Sequence, residues 1–215
     1  MRQRFEEVFG SVIGEARIYE KRCLNATRWS GKAVLIVVDA ALDSSGLKYF
    51  TVVLPRVKRF KEEFVEQGHL MTLADLSALR SNDDRLRAIL NNERVWNVAI
   101  GIAEEIENIR RENGFKTDYE ALNHWAKSAR YDDWKVDVIG GIKGVGLITF
   151  QYLRMQAGVD TSMPDKIIKK VVSDTFGISA EDDISFISSM EYLSEKVGYS
   201  QILMCWAIWL KESDR

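Results

Sequence analysis

The residues best suited to chemistry lie in Ile142-Lys143-Gly144-Val145-Gly146-Leu147-Ile148-Thr149 and, further on, in Met163-Pro164-Asp165-Lys166. Gly144 and Gly146 stand between apolar stretches and read as a tight turn. Glycine takes positive φ without a steric penalty and lets a polyanion come close to the backbone. The turn opens directly into a helical pattern. Unpaired N–H groups and the positive end of the helix dipole then point outward together, which suits a phosphate. Pro164-Asp165 opens the next helical pattern and delivers one carboxylate at its start. A backbone grip for phosphate with an acid close by implies chemistry on nucleic acid.

The elements that must position these groups read as almost entirely helical. The chain has 215 residues, 46% of them apolar, and only two prolines, Pro55 and Pro164. That is enough to bury a sizeable core without cross-links, as one large domain or two small lobes. The formal charge of −2 argues against a binder driven by overall charge. A local basic patch counts for more than the total. Cys23 and Cys205 are too few for a four-thiolate iron–sulfur or zinc site and read as buried free thiols in a reducing compartment. The N-terminal residues contain no apolar signal core, and no apolar run is long enough to span a bilayer. A cytoplasmic, nucleoid-associated protein is the expectation.

Val95, Ala99, Ile102, Ile106 and Ile109 fall on one face of a helix over 93–113, stopped by Gly114. Thr117 with Glu120 forms a capping box for the next helix. Pro55 fits the first turn of a helix running to about Gln67, and Thr72 and Ser179 read as further N-caps. Residues 33–38 and 49–53 are β-branched and admit strand or helix. Helix is favoured for the first, because Asp39-Ala40-Ala41-Leu42 continue it to helical length. The segment 200–211 is apolar nearly all round, so it predicts a helix buried on most sides. Such a helix would close a lobe begun by the N-terminal residues. The expected fold is all-α and two-lobed, with 1–30 and 160–215 forming one discontinuous lobe and 31–159 the other.

The pattern apolar-x-Gly-Val-Gly-x-x-Thr, Ile142 to Thr149, resembles the helix-hairpin-helix motif of the DNA glycosylase superfamily that includes endonuclease III, the adenine glycosylases and the alkylbase glycosylases. The apolar stretch Phe150 to Met155, a turn at Gly158 and an acid twenty-one residues after Gly144 are similar to the family as well. Pro164-Asp165-Lys166-Ile167-Ile168-Lys169 looks most like the alkylbase branch. The specific likeness covers roughly residues 138–172, with the hairpin unit at 138–155. The resemblance implies that N–H groups around Gly144, Val145 and Gly146, with Lys143, Thr149 and Lys166, hold a DNA phosphate. It also implies that hairpin carbonyls can hold a monovalent cation, with no other cofactor or metal. Asp165 would face the sugar of a nucleotide extruded from duplex DNA, to release a damaged base such as an alkylated one. Members that also cleave the strand carry a lysine two residues after the second glycine. That position is Ile148, which cannot form a Schiff base, so the implied activity is monofunctional. The family's cysteine cluster is absent. The alternatives are a non-catalytic DNA-binding protein on the same scaffold and an interaction module without a nucleic-acid partner. A monomer is expected.

Around this centre, Lys143, Arg154, Lys166, Lys169 and Lys170 form a candidate basic face. Trp29, Trp125, Trp134, Tyr49 and Phe50 are the candidates to stack on a flipped base. Trp96, Trp206 and Trp209 read as core. The loop Asp43-Ser44-Ser45-Gly46 lies where relatives insert a wedge into the duplex, but its small polar residues suit strong intercalation poorly. His69 and His124 have no partner at metal-ligand spacing and read as non-catalytic.

Overall fold

A computed structural model describes residues 1–212, and the last three residues of the expected discontinuous lobe fall outside that range. Helix is the regular secondary structure of the described residues, among which there is no strand. At the centre lies α2 (Ala33–Asp43), in which every residue from Ala33 to Leu42 is buried. A helix apolar on all sides must be surrounded. It packs against α3 (Leu54–Phe60), α4 (Leu73–Ser77), α6 (Glu93–Asn113), α7 (Asp118–Ser128) and α8 (Leu147–Gln156). This surrounding apolar contact outweighs the strand preference of its valines. Residues 49–53 also escape the strand form and make a π-helical turn leading into α3.

α1 (Arg2–Leu24) buries Phe5, Phe9, Ala16 and Cys23 along one stripe, mainly against α11 (Gln201–Glu212). In α11, Gln201 to Leu210 are all buried. α9 (Lys166–Phe176) and α10 (Asp183–Val197) pack on α11 as well, and α8 touches both α1 and α2.

The capping chemistry accounts for most boundaries. Asn92 caps α6, and Gly114 ends it in the left-handed region. Thr117 and Glu120 form a reciprocal box at α7, and Thr72 with Asp75 forms another at α4. Pro55 sits in the first turn of α3, and the helix ends through a second π-turn at Lys61–Val65, short of Gln67. Ser179 caps nothing. Gly177 ends α9, and Asp182 takes the N-cap of α10 by accepting from the Ser185 N–H at 2.7 Å. An ionised acceptor directly before the helix makes the stronger cap. A short helix, α5 (Asp84–Ile89), lies between α4 and α6.

The expected unit at 138–155 is only half helical. α8 follows the glycines, but residues 131–146 form a run of turns. The Asp137 Oδ1 accepts from the N–H of Ile139 at 2.8 Å, the N–H of Gly140 at 3.4 Å and the Trp125 Nε1 at 3.0 Å. A side chain that takes backbone donors in this way competes with a helix. A Cβ added to Gly140 would lie 1.6 Å from the Trp134 carbonyl oxygen. That turn therefore needs glycine.

A buried ion pair ties the packing together. Arg28 is only 4% exposed and donates through Nη2 to the Asp39 Oδ2 at 2.8 Å. It also donates to the Tyr49 hydroxyl and, through Nε, to the Gln156 Oε1 at 3.1 Å. The guanidinium lies over the rings of Tyr19, Trp29 and Trp206. The turn that brings it inward holds Trp29 at φ 50° and Ser30 at φ 56°, both left-handed. Such positions are costly outside glycine. A bond from the Trp29 Nε1 to the Asp39 Oδ2 at 2.6 Å holds the first of them.

Replacing Arg28 by Ala would leave Asp39 charged and unpaired in the core. The expected loss is about 3–5 kcal/mol, read from urea denaturation. A loss below 1 kcal/mol would show that Asp39 finds another partner.

Candidate functional site

The C-terminus of α2, the loop after it, the π-helical turn, the starts of α8 and α9 and one face of α11 enclose a cavity of about 730 Å³. Gly144, Gly146 and Asp165 border it together, although they come from separate parts of the chain. Thr149 and Lys166 border it too.

Asp165 is the N-cap of α9. Its Oδ1 accepts from the Ile168 N–H at 2.7 Å, and its Oδ2 accepts from the Trp209 Nε1 at 2.5 Å. Burial raises its pKa, against the opposing pull of these N–H groups and of Lys169. Two aimed donors favour the ionised form and fix the carboxylate in one orientation on the cavity wall.

The hairpin divides its labour. Gly144 takes φ 103°, a conformation that favours glycine, and an added Cβ would meet the Val98 Cγ2 at 2.9 Å. The Val145 side chain is buried, and its N–H donates to the Ile142 carbonyl at 3.0 Å. Val145 therefore closes the turn and has no N–H to offer a phosphate, contrary to expectation. Gly146 is the N-cap of α8, with extended backbone. The first bond within the helix runs from the Phe150 N–H to the Gly146 carbonyl at 2.9 Å. The N–H groups of Leu147, Ile148 and Thr149 are left facing outward by helix geometry. Ile148 is 37% exposed at the cavity edge. Lys143 is exposed but does not border the cavity.

The aromatic assignments change most. Tyr49 and Phe50 border the cavity. Trp29, Trp125 and Trp134 do not. Trp29 is held by Asp39, Trp125 bonds Asp137 and meets Phe150 edge-on, and Trp134 packs on Phe150. Each serves packing, because its ring has a partner inside the fold. Trp206 and Trp209 are buried in the core as expected, and they also wall the cavity, crossing edge-to-face at 5.1 Å. Trp96 is core and stacks on Phe60. Leu47, just beyond the Asp43–Gly46 loop, is 40% exposed at the mouth of the cavity.

The basic face is also redrawn. Arg154 is buried, donating to the Ala126 carbonyl at 3.0 Å and to the Gln151 Oε1 at 2.7 Å. Lys169 pairs with Asp183 at 2.6 Å and Lys170 with Asp174 at 3.0 Å. Lys143 and Lys166 make no ion pair with a described residue, and neither does Arg94, an exposed residue of α6 bordering the cavity beside Gly144. His124 packs against Phe115 at 5.0 Å and, like His69, is exposed and away from the cavity. Among the described residues, no group of three or more His, Cys, Asp or Glu is placed to hold a metal ion. No helix there is long and apolar enough to cross a membrane.

Sequence reasoning missed Asp43. It is the last residue of α2 and borders the cavity. Burial, then the charges of Asp39 and Asp165, push its pKa up to about 8. The signal was present, since Asp39 and Asp43 are spaced one turn apart on a helix otherwise made of apolar residues. Comparison of the chain with protein-family models, curated proteins and solved structures gives no match in any of the three.

Asp43 makes stability depend on pH. Its folded pKa of about 8 lies above its unfolded value. Its favourable contribution is complete below the unfolded pKa and is lost as pH rises through the folded one. Asp43→Asn should therefore melt above the parent at pH 9 by about 5 °C, with the gap closing toward pH 4. Parallel melting curves across that range would place Asp43 at an ordinary carboxylate pKa.

Proposed function

We propose that this protein is a monofunctional DNA glycosylase that hydrolyses the N-glycosidic bond of a damaged base, with Asp165 as the carboxylate that acts at the sugar. The observation that carries this reading is the shared cavity. Outward-facing N–H groups at the start of α8 border the same cavity as a fixed carboxylate, and aromatic rings border it too. A space of about 730 Å³ lies within the range of small-molecule sites and has room for a nucleoside. The helix start would take the phosphate, and Tyr49, Phe50, Trp206 and Trp209 would bound the extruded base.

Breaking the bond builds positive charge on the sugar. One carboxylate at ~4 Å with an effective dielectric near 20 supplies roughly 4 kcal/mol. That is about a thousandfold in rate, so extrusion and polarisation of the base must supply the rest. Ile148 stands where a strand-cleaving relative would need an amine, so the product would be an intact abasic strand.

A second reading is a DNA-binding protein on the same scaffold without the chemistry. The N-cap bond that Asp165 accepts from the Ile168 N–H favours it, because that bond alone gives the acid a structural use. Asp165→Asn separates the two readings. On duplexes carrying different damaged bases, it should lower the rate of abasic-site formation at least a thousandfold while duplex affinity stays within about threefold. A variant that releases base at the parent rate would remove Asp165 from the chemistry.

The redrawn basic set also makes a quantitative demand. With Lys143, Lys166 and Arg94 each on one phosphate, log affinity should fall against log salt with a slope of about −3. A slope near zero would exclude these contacts.

A further inference from the structure

Asp43 is an acid that the fold does not use. Its carboxyl makes no hydrogen bond or ion pair with a described residue. The neighbouring hydroxyls turn elsewhere, Ser44 to the Ala41 carbonyl and Ser45 to the Leu42 carbonyl, both at 2.6 Å. It stands at the C-terminal end of α2, where the helix dipole opposes a negative charge. Asp39, one turn back, adds a second carboxylate, although Arg28 and Trp29 donate to that one. A group that costs the fold stability and returns no contact has its use in the cavity it borders.

Two carboxyls thus share one cavity in contrasting surroundings. Asp165 accepts from two N–H donors, and Asp43 accepts from none. The cations on the cavity are Lys48, Arg94 and Lys166, and the other carboxylates are Asp183, paired with Lys169, and Glu212. The phenols Tyr49 and Tyr152 are kept protonated by burial. The charged groups that act on Asp43 most are Asp165 on the cavity and Asp39 in the core behind it, and both favour its neutral form. When environments separate two acids in this way, the one without donors holds its proton more tightly than the other.

We infer that Asp43 is the proton donor to the departing base and that the cavity is therefore built for bases that leave as neutral molecules only after protonation. This rests on the base-excision reading above. As the bond between C1′ and the base nitrogen breaks, its electron pair goes to the base, and the Asp43 proton moves to a base nitrogen. Asp165 faces the positive sugar carbon. Water adds its oxygen to C1′, and its released proton restores the Asp43 carboxyl, so the products are the free base and the abasic sugar. A base that already carries a positive charge, such as an alkylated purine, needs no such proton. The substrate class is then an uncharged modified base rather than a cationic one.

The test compares single-turnover release of hypoxanthine, an uncharged base, with release of 7-methylguanine, a cationic one, from otherwise identical duplexes. The parent should release hypoxanthine at a rate that falls about tenfold per pH unit above pH ~8. Asp43→Asn, which keeps shape and neutrality, should slow hypoxanthine release about a hundredfold or more. It should slow 7-methylguanine release less, so that the preference between the two changes at least tenfold. The pH profile of the parent needs no variant, so a folding defect in Asp43→Asn leaves that arm intact. Equal slowing of both bases, an unchanged pH profile, or parent activity confined to the cationic base would each overturn the role of Asp43 and leave base excision standing. Release of neither base by the parent would overturn both.

Discussion

The Arg28–Asp39 pair is the contact on which the arrangement of this molecule depends. A guanidinium and a carboxylate inside an apolar core are tolerable only when they are paired and hydrogen-bonded, and here the Asp39 Oδ2 takes three donors while its Oδ1 takes none. Meeting that requirement draws Tyr49, Gln156 and the ring of Trp206 to one point. Those residues belong to the π-helical turn, α8 and α11, three of the segments that enclose the cavity. The left-handed turn at Trp29 and Ser30 exists to bring Arg28 there. Tyr49 links the two regions directly, since its hydroxyl serves the ion pair while its ring bounds the cavity. The wall of the site is therefore as firm as the ion pair behind it.

Local chemistry was readable wherever it depends on neighbours in sequence. The α6 stripe, the Thr117–Glu120 box, the Gly114 stop and Asp165 at the head of its helix all follow from residues within a few positions of one another. Reading failed where the partner is distant. Trp125 and Trp134 cannot be told from base-stacking rings until Phe150 and Asp137 are seen beside them. Arg154 looks like a surface cation until the Ala126 carbonyl claims it. Trp206 and Trp209 are core as read, but their second role on the cavity wall was not legible, because an apolar helix reads the same whether or not its rings also border an open space. The turns before Gly144 were misread because Asp137 takes N–H groups that a helix would need.

The cavity gathers groups whose individual roles are ordinary and whose combination is not. A capping aspartate, a glycine hairpin and buried indoles each occur in proteins that bind nothing. Here the Trp209 indole donates to Asp165 while its ring bounds the same space, so orientation of the acid and shape of the enclosure come from one side chain. Asp43 adds an acid at the wrong end of a helix, against the dipole. Placing it there lowers stability and leaves a titratable proton where a ligand would sit.

The glycines of the hairpin region differ in what demands them. Gly140 is imposed by the Trp134 carbonyl, and Gly144 by its left-handed backbone and by Val98. Neither says anything about a ligand. Gly146 has ordinary backbone angles, and nothing lies within 4 Å of where its Cβ would be. The free protein would accept alanine or serine at that position without strain. A methyl group there would project into the open volume ahead of α8, so the protein's own packing does not require glycine at this position.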